Sequence, residues 1–380
     1  MARCTTRLTP RERLFRALAG EPVDQVPVWL LFPYHPLGCY VDVRTHPAYM
    51  PVFEASKNRA IMLNRRWLGA ALHAPEVVSS REAVSEPGRQ GTRTCLRYGG
   101  IELACEHVQT AQGTVVTRLI RSAADLEAYC CLPVETDPTR INRTLDQQLP
   151  RYLAERAEFP VSYGAMMLDL GEPIGPLYHT CNLEEYAIFS LTHADVVEAW
   201  LERVMERYRM VYRYCLEHDL AEVYFLVGSE MASPPLVSRA TFQRWVVPFA
   251  KELISLIHSY GKRVIQHYHG QIREILPDFV TMGADGLHTI EAPPIGNCTL
   301  AEAYRLTEER ITLIGNVQYD DFRALPPGGM QRLVQDILRE VGDRRFILSP
   351  SAGPFDPEVP DVVIRNYLAF LDAAQLTPSS

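Results

Sequence analysis

The sequence predicts one α/β domain over residues 1–380: a distorted (β/α)8 barrel of TIM type with an antiparallel β excursion toward its N-terminal end. Three observations lead there. From residue 160 onward, short β-branched apolar runs alternate with longer amphipathic stretches, and strand–helix repetition implies parallel strands joined by crossover helices. The strands number about seven or eight, which suits a closed barrel better than an open sheet. Between residues 76 and 120 the pattern changes to apolar–polar alternation around a Gly99-Gly100 turn.

In chain order, residues 9–20 read as a helix with Thr9 as N-cap, Pro10 at its first turn and Gly20 as its stop. Val26–Leu31 reads as a buried strand. Residues 32–49 form a loop rich in Pro, Gly, Tyr and His, and such loops carry function more often than packing. His35 in this loop is a candidate substrate-binding residue. A helix is expected over about 51–62. Thr92–Tyr98 and Thr114–Leu119 are strands of the excursion, which is either an oligomer contact, as in a homodimer, or a lid. Helices follow at 123–130 and 143–157.

The repeat then begins with strand Val161–Met167, a Gly/Pro-rich loop, and helices at 182–190 and 194–218. Strand Glu222–Val227 leads to Glu230, and Ser238 caps a helix over 239–259. Strand 263–266, helix 271–279, strand Gly286–Ile290, helix 299–308 and strand Ile311–Gly315 come next. Helix 329–341, strand Phe346–Ser349 and helix 359–373 complete the chain.

Bulk properties exclude several classes. The chain is 47% apolar and 22% charged, an ordinary globular composition. A formal charge of −8 and the lack of basic runs argue against nucleic acid as partner. No apolar run reaches the ~18 residues of a membrane span, and Met1–Arg7 has no signal-like apolar segment, so a cytoplasmic location is expected. Nine cysteines, at 4, 39, 95, 105, 130, 131, 181, 215 and 298, include no Cys-x-x-Cys pair and read as reduced thiols. Neither Gly-x-Gly-x-x-Gly after the first strand nor a Walker A motif occurs, so a nucleotide site has no support.

The most informative stretch is Gly261–Gly270, where a buried strand ends in His267-Tyr-His-Gly. Side chains two apart on a strand share a face, so His267 and His269 project together. Paired imidazoles at a strand end make half of a metal site, and zinc takes a carboxylate as a further ligand. Glu230 and Glu291 are the candidates for it, and each is also a candidate catalytic residue. In barrels the chemistry sits at the C-terminal strand ends. Those ends also carry His288, Asn316, Gln318, Ser349 and Ser351, with Asp169, Tyr178 and His179 after strand 161–167. Tyr178 is a candidate catalytic group. His179, His288, Asn316 and Ser351 are candidates for holding a small-molecule substrate. Any one of these has an ordinary structural role open to it, and the two histidines could simply be hydrogen-bonding groups. Their concentration on one rim is the evidence.

These residues also carry a family likeness. Residues 9–28, Ser233-Pro-Pro, the helix from Phe242 to Gly261, His267-Tyr-His-Gly, Gly283-Ala-Asp-Gly, Leu313-Ile-Gly-Asn-Val and Ile347-Leu-Ser-Pro resemble the uroporphyrinogen decarboxylase superfamily. That superfamily holds decarboxylases and corrinoid-linked methyltransferases, and the resemblance implies the same distorted barrel. The decarboxylases place Arg-Gln-Ala-Gly-Arg-Tyr after the first strand, where this chain has Leu31-Phe-Pro-Tyr-His-Pro-Leu-Gly-Cys-Tyr40. A polycarboxylate substrate needs cations there. The methyltransferases hold zinc through His-x-Cys-Gly and a later Gly-Cys-Gly. His267 matches directly, His269 replaces the first Cys, and Ala352 stands at the second. The resemblance thus implies methyl transfer with a divalent metal, zinc, at His267 and His269, and a corrinoid protein as partner. Cofactor-free decarboxylation and a non-catalytic corrinoid- or tetrapyrrole-binding module are the alternatives.

Overall fold

The computed structural model describes residues 6–38 and 40–375. Cys4 and Cys39, and the N-terminal residues read for a signal segment through Thr5, lie outside them. The seven described cysteines are all free.

The first helix forms as its punctuation demands. Thr9 Oγ1 accepts from the Glu12 N–H, Glu12 Oε2 accepts from the Thr9 N–H at 2.7 Å, and the helix Pro10–Ala19 ends on Gly20 at φ 72°. This capping box satisfies two amides that a helix start otherwise leaves unpaired. Strand β1 follows at Met62–Arg66. The helix expected over about 51–62 stops at Ser56, Asn58 turns the chain through φ 62°, and β1, a strand not expected, begins where that range ends. The charged Asn64-Arg-Arg end hides this strand from an apolar-run reading.

The excursion is a four-stranded antiparallel sheet: β2 Val78–Glu86, β3 Arg89–Tyr98, β4 Ile101–Thr110 and β5 Gly113–Val116. Gly99 and Gly100, at φ 53° and 87°, make its central turn, a backbone that suits glycine. Leu96 and Leu103 anchor the sheet in the main apolar core.

The remaining strands are β6 Gly164–Leu168, β7 Val223–Leu226, β8 Arg263–His267, β9 Gly286–Glu291, β10 Thr312–Val317 and β11 Phe346–Pro350. With β1 they form a curled seven-stranded parallel sheet in the order β1-β6-β7-β8-β9-β10-β11. Helices cover its outer face, so β6, β7, β9 and β11 are buried along their whole length. Residues 26–31 do not make a full strand. Val28 bridges to Leu348 and Trp29 to Ile61, both in parallel, which ties the two edges of the sheet together. The architecture is an α/β fold with a curled, half-barrel parallel sheet and a separate antiparallel sheet, consistent with the distorted TIM-type barrel expected.

Two expected helices are divided by prolines, whose missing N–H and ring interrupt a helix interior. Residues 143–157 give way to Pro138–Asp146 and Leu149–Glu158, with Pro150 at the break, and 239–259 becomes Arg239–Trp245 and Val247–Ser259, with Pro248 there. The loop expected at 171–176 runs into a short helix, Gly175–Thr180.

One apolar cluster fills the inside of the curl. Leu63, Met167, Phe225, Ile265, Ile314 and Ile347 come from β1, β6, β7, β8, β10 and β11, and Leu14 and Leu18 of the first helix plug one end. The opposite end, where the strands finish, is left for the site. No helix among the described residues is long and apolar enough to cross a membrane.

Leu14 is fully buried and Leu191 is 80% exposed. Leu14→Ala removes packing from the plug and should cost about 2–5 kcal/mol in denaturant unfolding, while Leu191→Ala should cost less than about 0.5 kcal/mol. Equal costs would contradict the plug.

Candidate active site

Strands β8 and β9 pair so that His267 stands beside His288. Past the end of β8 the ladder continues: the Tyr268 N–H donates to the His288 carbonyl at 2.6 Å, and the Thr289 N–H to the Tyr268 carbonyl at 3.0 Å. Tyr268 turns outward against Phe242 and Phe279. His267 and His269 therefore share the inward face, their rings 4.5 Å apart and nearly perpendicular. Gly270, at φ 74°, turns the chain away and gives its N–H to Glu291 Oε2 at 2.6 Å.

Hydrogen bonds fix the tautomers. His288 Nε2 lies 3.1 Å from the Pro350 carbonyl, which only accepts, so this nitrogen carries the proton. Its Nδ1 is then the acceptor for the proton on His267 Nδ1, 2.7 Å away. The rings stack at 12°. The lone pair of His267 Nε2 is left facing Glu230 Oε1 at 3.8 Å. Burial holds both rings neutral: it drives the His267 pKa well below the usual imidazole value, assisted by His288, and lowers that of His288 to about 3.

The carboxylates differ. Burial raises the Glu230 pKa, while the Gly228 N–H donates to its Oε2 at 2.9 Å. Burial also opposes ionisation of Glu291, but His269, 3.4 Å from its Oε1, and the Gly270 N–H outweigh that and keep the carboxyl low. Behind them lies Glu172, a group the sequence reading missed. Its two oxygens are buried without a hydrogen-bond partner, and burial pushes its pKa up to about 8.

A small cavity of about 100 Å³ opens at this end of the barrel. His267, His269, His288, Ser351 and Ala352 line it on one side. Trp29, Tyr40, Phe225 and Phe355 form an aromatic wall, and Arg65 stands among them. Arg65 is ion-paired to Asp169 and lies 5.0 Å from the centre of the Phe225 ring.

Other predicted residues lie apart from this wall. His35 is buried between Asn64, 3.1 Å from its Nδ1, and Glu158, 3.1 Å from its Nε2. The Tyr178 ring lies 4.1 Å from that of His179, tilted by 35°; Tyr178 lies near Glu230 and Glu172, and burial raises its pKa to about 12. His179 lines a separate cavity against the antiparallel sheet, with Thr92, Cys105 and Arg118. Asn316 pairs in register with Glu291 on β10 but does not line the mouth. Ser351 does line it, donating to Gln318 Oε1 at 3.3 Å and accepting from the Tyr319 N–H. Ser349 donates to the Pro350 carbonyl. Trp29, Arg65 and Phe225 escaped sequence reasoning because each reads there as ordinary strand filling. A paired Arg-Arg at a buried strand end was the one available signal.

The donor types suit a divalent ion. His267 Nε2 is free to ligate, and its other nitrogen is held by a hydrogen bond, the usual outer arrangement of a metal-bound imidazole. The set is not closed: among the described residues no three His, Cys, Asp or Glu side chains stand close enough to hold an ion together. An ion held there would take the His pair and would need a carboxylate that this conformation does not bring to it.

Glu172 makes a pH prediction. Its folded pKa is raised, so its neutral form is kept, and the unfolded chain gives up that proton above about 4.5. The penalty is absent at low pH and grows as pH rises toward 8, reaching roughly 3 kcal/mol at pH 7. Glu172→Gln should therefore melt higher than the parent at pH 7, with a gap that shrinks toward pH 4.5. A gap independent of pH would disprove the shift.

The chain matches a methyltransferase from Methanosarcina mazei in structure, with a TM-score of 0.58 and 18% identity, over 97% of this chain and 98% of that one. This likeness supports the fold. A D-psicose 3-epimerase from Clostridium cellulolyticum H10 aligns over 60% of this chain and 93% of its own, at 9% identity and a TM-score of 0.33. No curated protein matches the sequence. Residues 178–375, more than half of the chain, match the family model described as uroporphyrinogen decarboxylase (URO-D), and they contain Glu230, both rim histidines, His288 and Glu291. The chain belongs to the uroporphyrinogen decarboxylase family.

Proposed function

We propose that this chain is a metal-dependent, methyltransferase-like enzyme that moves a methyl group between a corrinoid on a partner protein and a small molecule in the barrel mouth. The observation that carries this reading is the inward-facing His267–His269 pair, with the His267 Nε2 lone pair set free by His288. A divalent ion, zinc by its preference for imidazole and carboxylate, would sit on His267 and His269 with Glu230 or Glu291. Bound there, it would lower the pKa of an acceptor thiol or hydroxyl. The chain's own residues do the rest. His288 holds the His267 ring, Glu291 holds the turn at Gly270, and the aromatic wall keeps water from the reacting group. The Methanosarcina neighbour's description as a methyltransferase is in keeping with this reading. A cytoplasmic location, with its cysteines reduced, belongs to the same proposal.

Decarboxylation is the second reading, and Glu172 favours it. A carboxyl with a pKa near 8 stays protonated at neutral pH, and with Tyr178 it could supply a proton behind the site. Against it stands the cavity's charge. A polycarboxylate needs cations, and the one guanidinium in the wall, Arg65, already serves Asp169. A non-catalytic corrinoid-binding module would be content with Ala352 in the wall, but it has no use for the ordered histidine pair.

Elemental analysis of purified protein tests the reading. About one zinc per chain is expected in the parent, with at least a tenfold loss of affinity in a His267→Ala/His269→Ala variant of unchanged circular dichroism. A parent that takes up no metal when zinc is offered would end the metal-dependent mechanism and turn attention to metal-free decarboxylation.

A further inference from the structure

The wall of the mouth is of two kinds. Leu63, Arg65, Met167, Phe225, His267 and His288 stand on strands of the parallel sheet, whose ladders hold them in place. Tyr40, Ala352 and Phe355 stand on two loops, one before β1 and one after β11. At about 100 Å³ the cavity between them is smaller than the roughly 300 Å³ at which small-molecule sites usually begin. A substrate therefore enters only if part of the wall moves, and the part outside the ladders is the loop side.

The loop after β11 is made to move as one piece. Pro354 and Pro357 fix φ on either side of Phe355-Asp356. Phe355 is 40% exposed, and its ring lies 5.1 Å from that of Tyr40 at the mouth. The Val41 N–H donates to the Pro354 carbonyl at 2.9 Å, so the two loops meet backbone to backbone. Gly353 lets them come this close: a Cβ there would stand 2.7 Å from Tyr40 Cε1. Asp356 pins the segment down. It accepts from the Tyr319 hydroxyl at 2.9 Å and pairs with Arg323 at 2.5 Å. Both partners follow β10, and the Tyr319 N–H is held in turn by Ser351 Oγ. The ion pair is partly exposed at both ends, and a pair in that position is weak enough to break and re-form.

We propose that residues 352–358 are a strap that closes the mouth and lifts to admit a substrate, with Asp356 as its latch on Tyr319 and Arg323 and with Tyr40 as the surface it closes on. This rests on the reading of the mouth as the substrate site, but not on the metal or on methyl transfer. Gly353 is then the residue that allows full closure, and the exposed latch is what makes opening easy.

Acylation of His267 by diethyl pyrocarbonate tests this, because its Nε2 lone pair lies at the cavity behind the strap. The full chain is treated in the presence of a chelator, and each histidine is followed by peptide mass spectrometry. Asp356→Ala should raise the rate at His267 by about three- to tenfold, the worth of one hydrogen bond and a weak ion pair. Arg323→Ala should raise it by about twofold. Gly353→Ala, which cannot close on Tyr40, should also raise it. His73, packed on Tyr129 outside the mouth, should keep its rate in every variant. An unchanged His267 rate in Asp356→Ala overturns the proposal, as does an equal rise at His267 and His73, which would mean general loosening. If Gly353→Ala does not fold, Asp356→Ala and Arg323→Ala still decide. Since the chelator removes any bound ion, the result is independent of the metal: a protein that takes up no zinc but shows these rates would sink the metal mechanism and leave the strap standing.

Discussion

The hydrogen bond between His267 and His288 is the interaction on which the site depends. It exists because β8 and β9 are parallel neighbours in a register that sets these two residues side by side. The Pro350 carbonyl at the end of β11 anchors the far nitrogen of His288. A backbone carbonyl cannot donate, so the direction of the chain is settled from that end. The consequence is felt at the cavity, where His267 presents a lone pair and not a proton. One strand register thus decides whether an inward imidazole offers the cavity a lone pair or a proton.

Around that chain the fold arranges its charges by burial. Arg65 and Asp169 neutralise each other within an aromatic wall, and the guanidinium keeps its charge despite desolvation because of that partner. Glu291 keeps its charge through Gly270 and His269. Glu172 has no cation beside it and holds its proton instead. These are the two ways a buried carboxyl can avoid an uncompensated charge, and the mouth of this barrel uses both within a few residues of one another. The result is a polar site that is close to electroneutral, and that sets it apart from a site built to hold many carboxylates.

Much of the molecule was legible in its residues. Thr9, Pro10 and Gly20 marked the first helix because capping is a local matter of hydrogen bonds and φ angles. Gly99-Gly100 marked the hairpin for the same reason. The shared face of His267 and His269 followed from the two-residue period of a strand. Strand β1 was not legible, since Asn64-Arg-Arg ends it and only burial between β6 and the 28–29 bridge makes it a strand. The divided helices turned on where Pro150 and Pro248 fall within otherwise helical runs.

The sequence by itself determined the α/β repeat, the family and the strand end that carries the paired histidines, because periodicity, capping and turn residues act over a few positions. Only the tertiary structure decided which residues from distant strands share the mouth. It brought Trp29, Arg65 and Phe225 into the wall with the histidines and set His35 and His179 elsewhere. It also decided protonation, because desolvation and partners such as Pro350 and Asp169 arise only when the chain closes on itself.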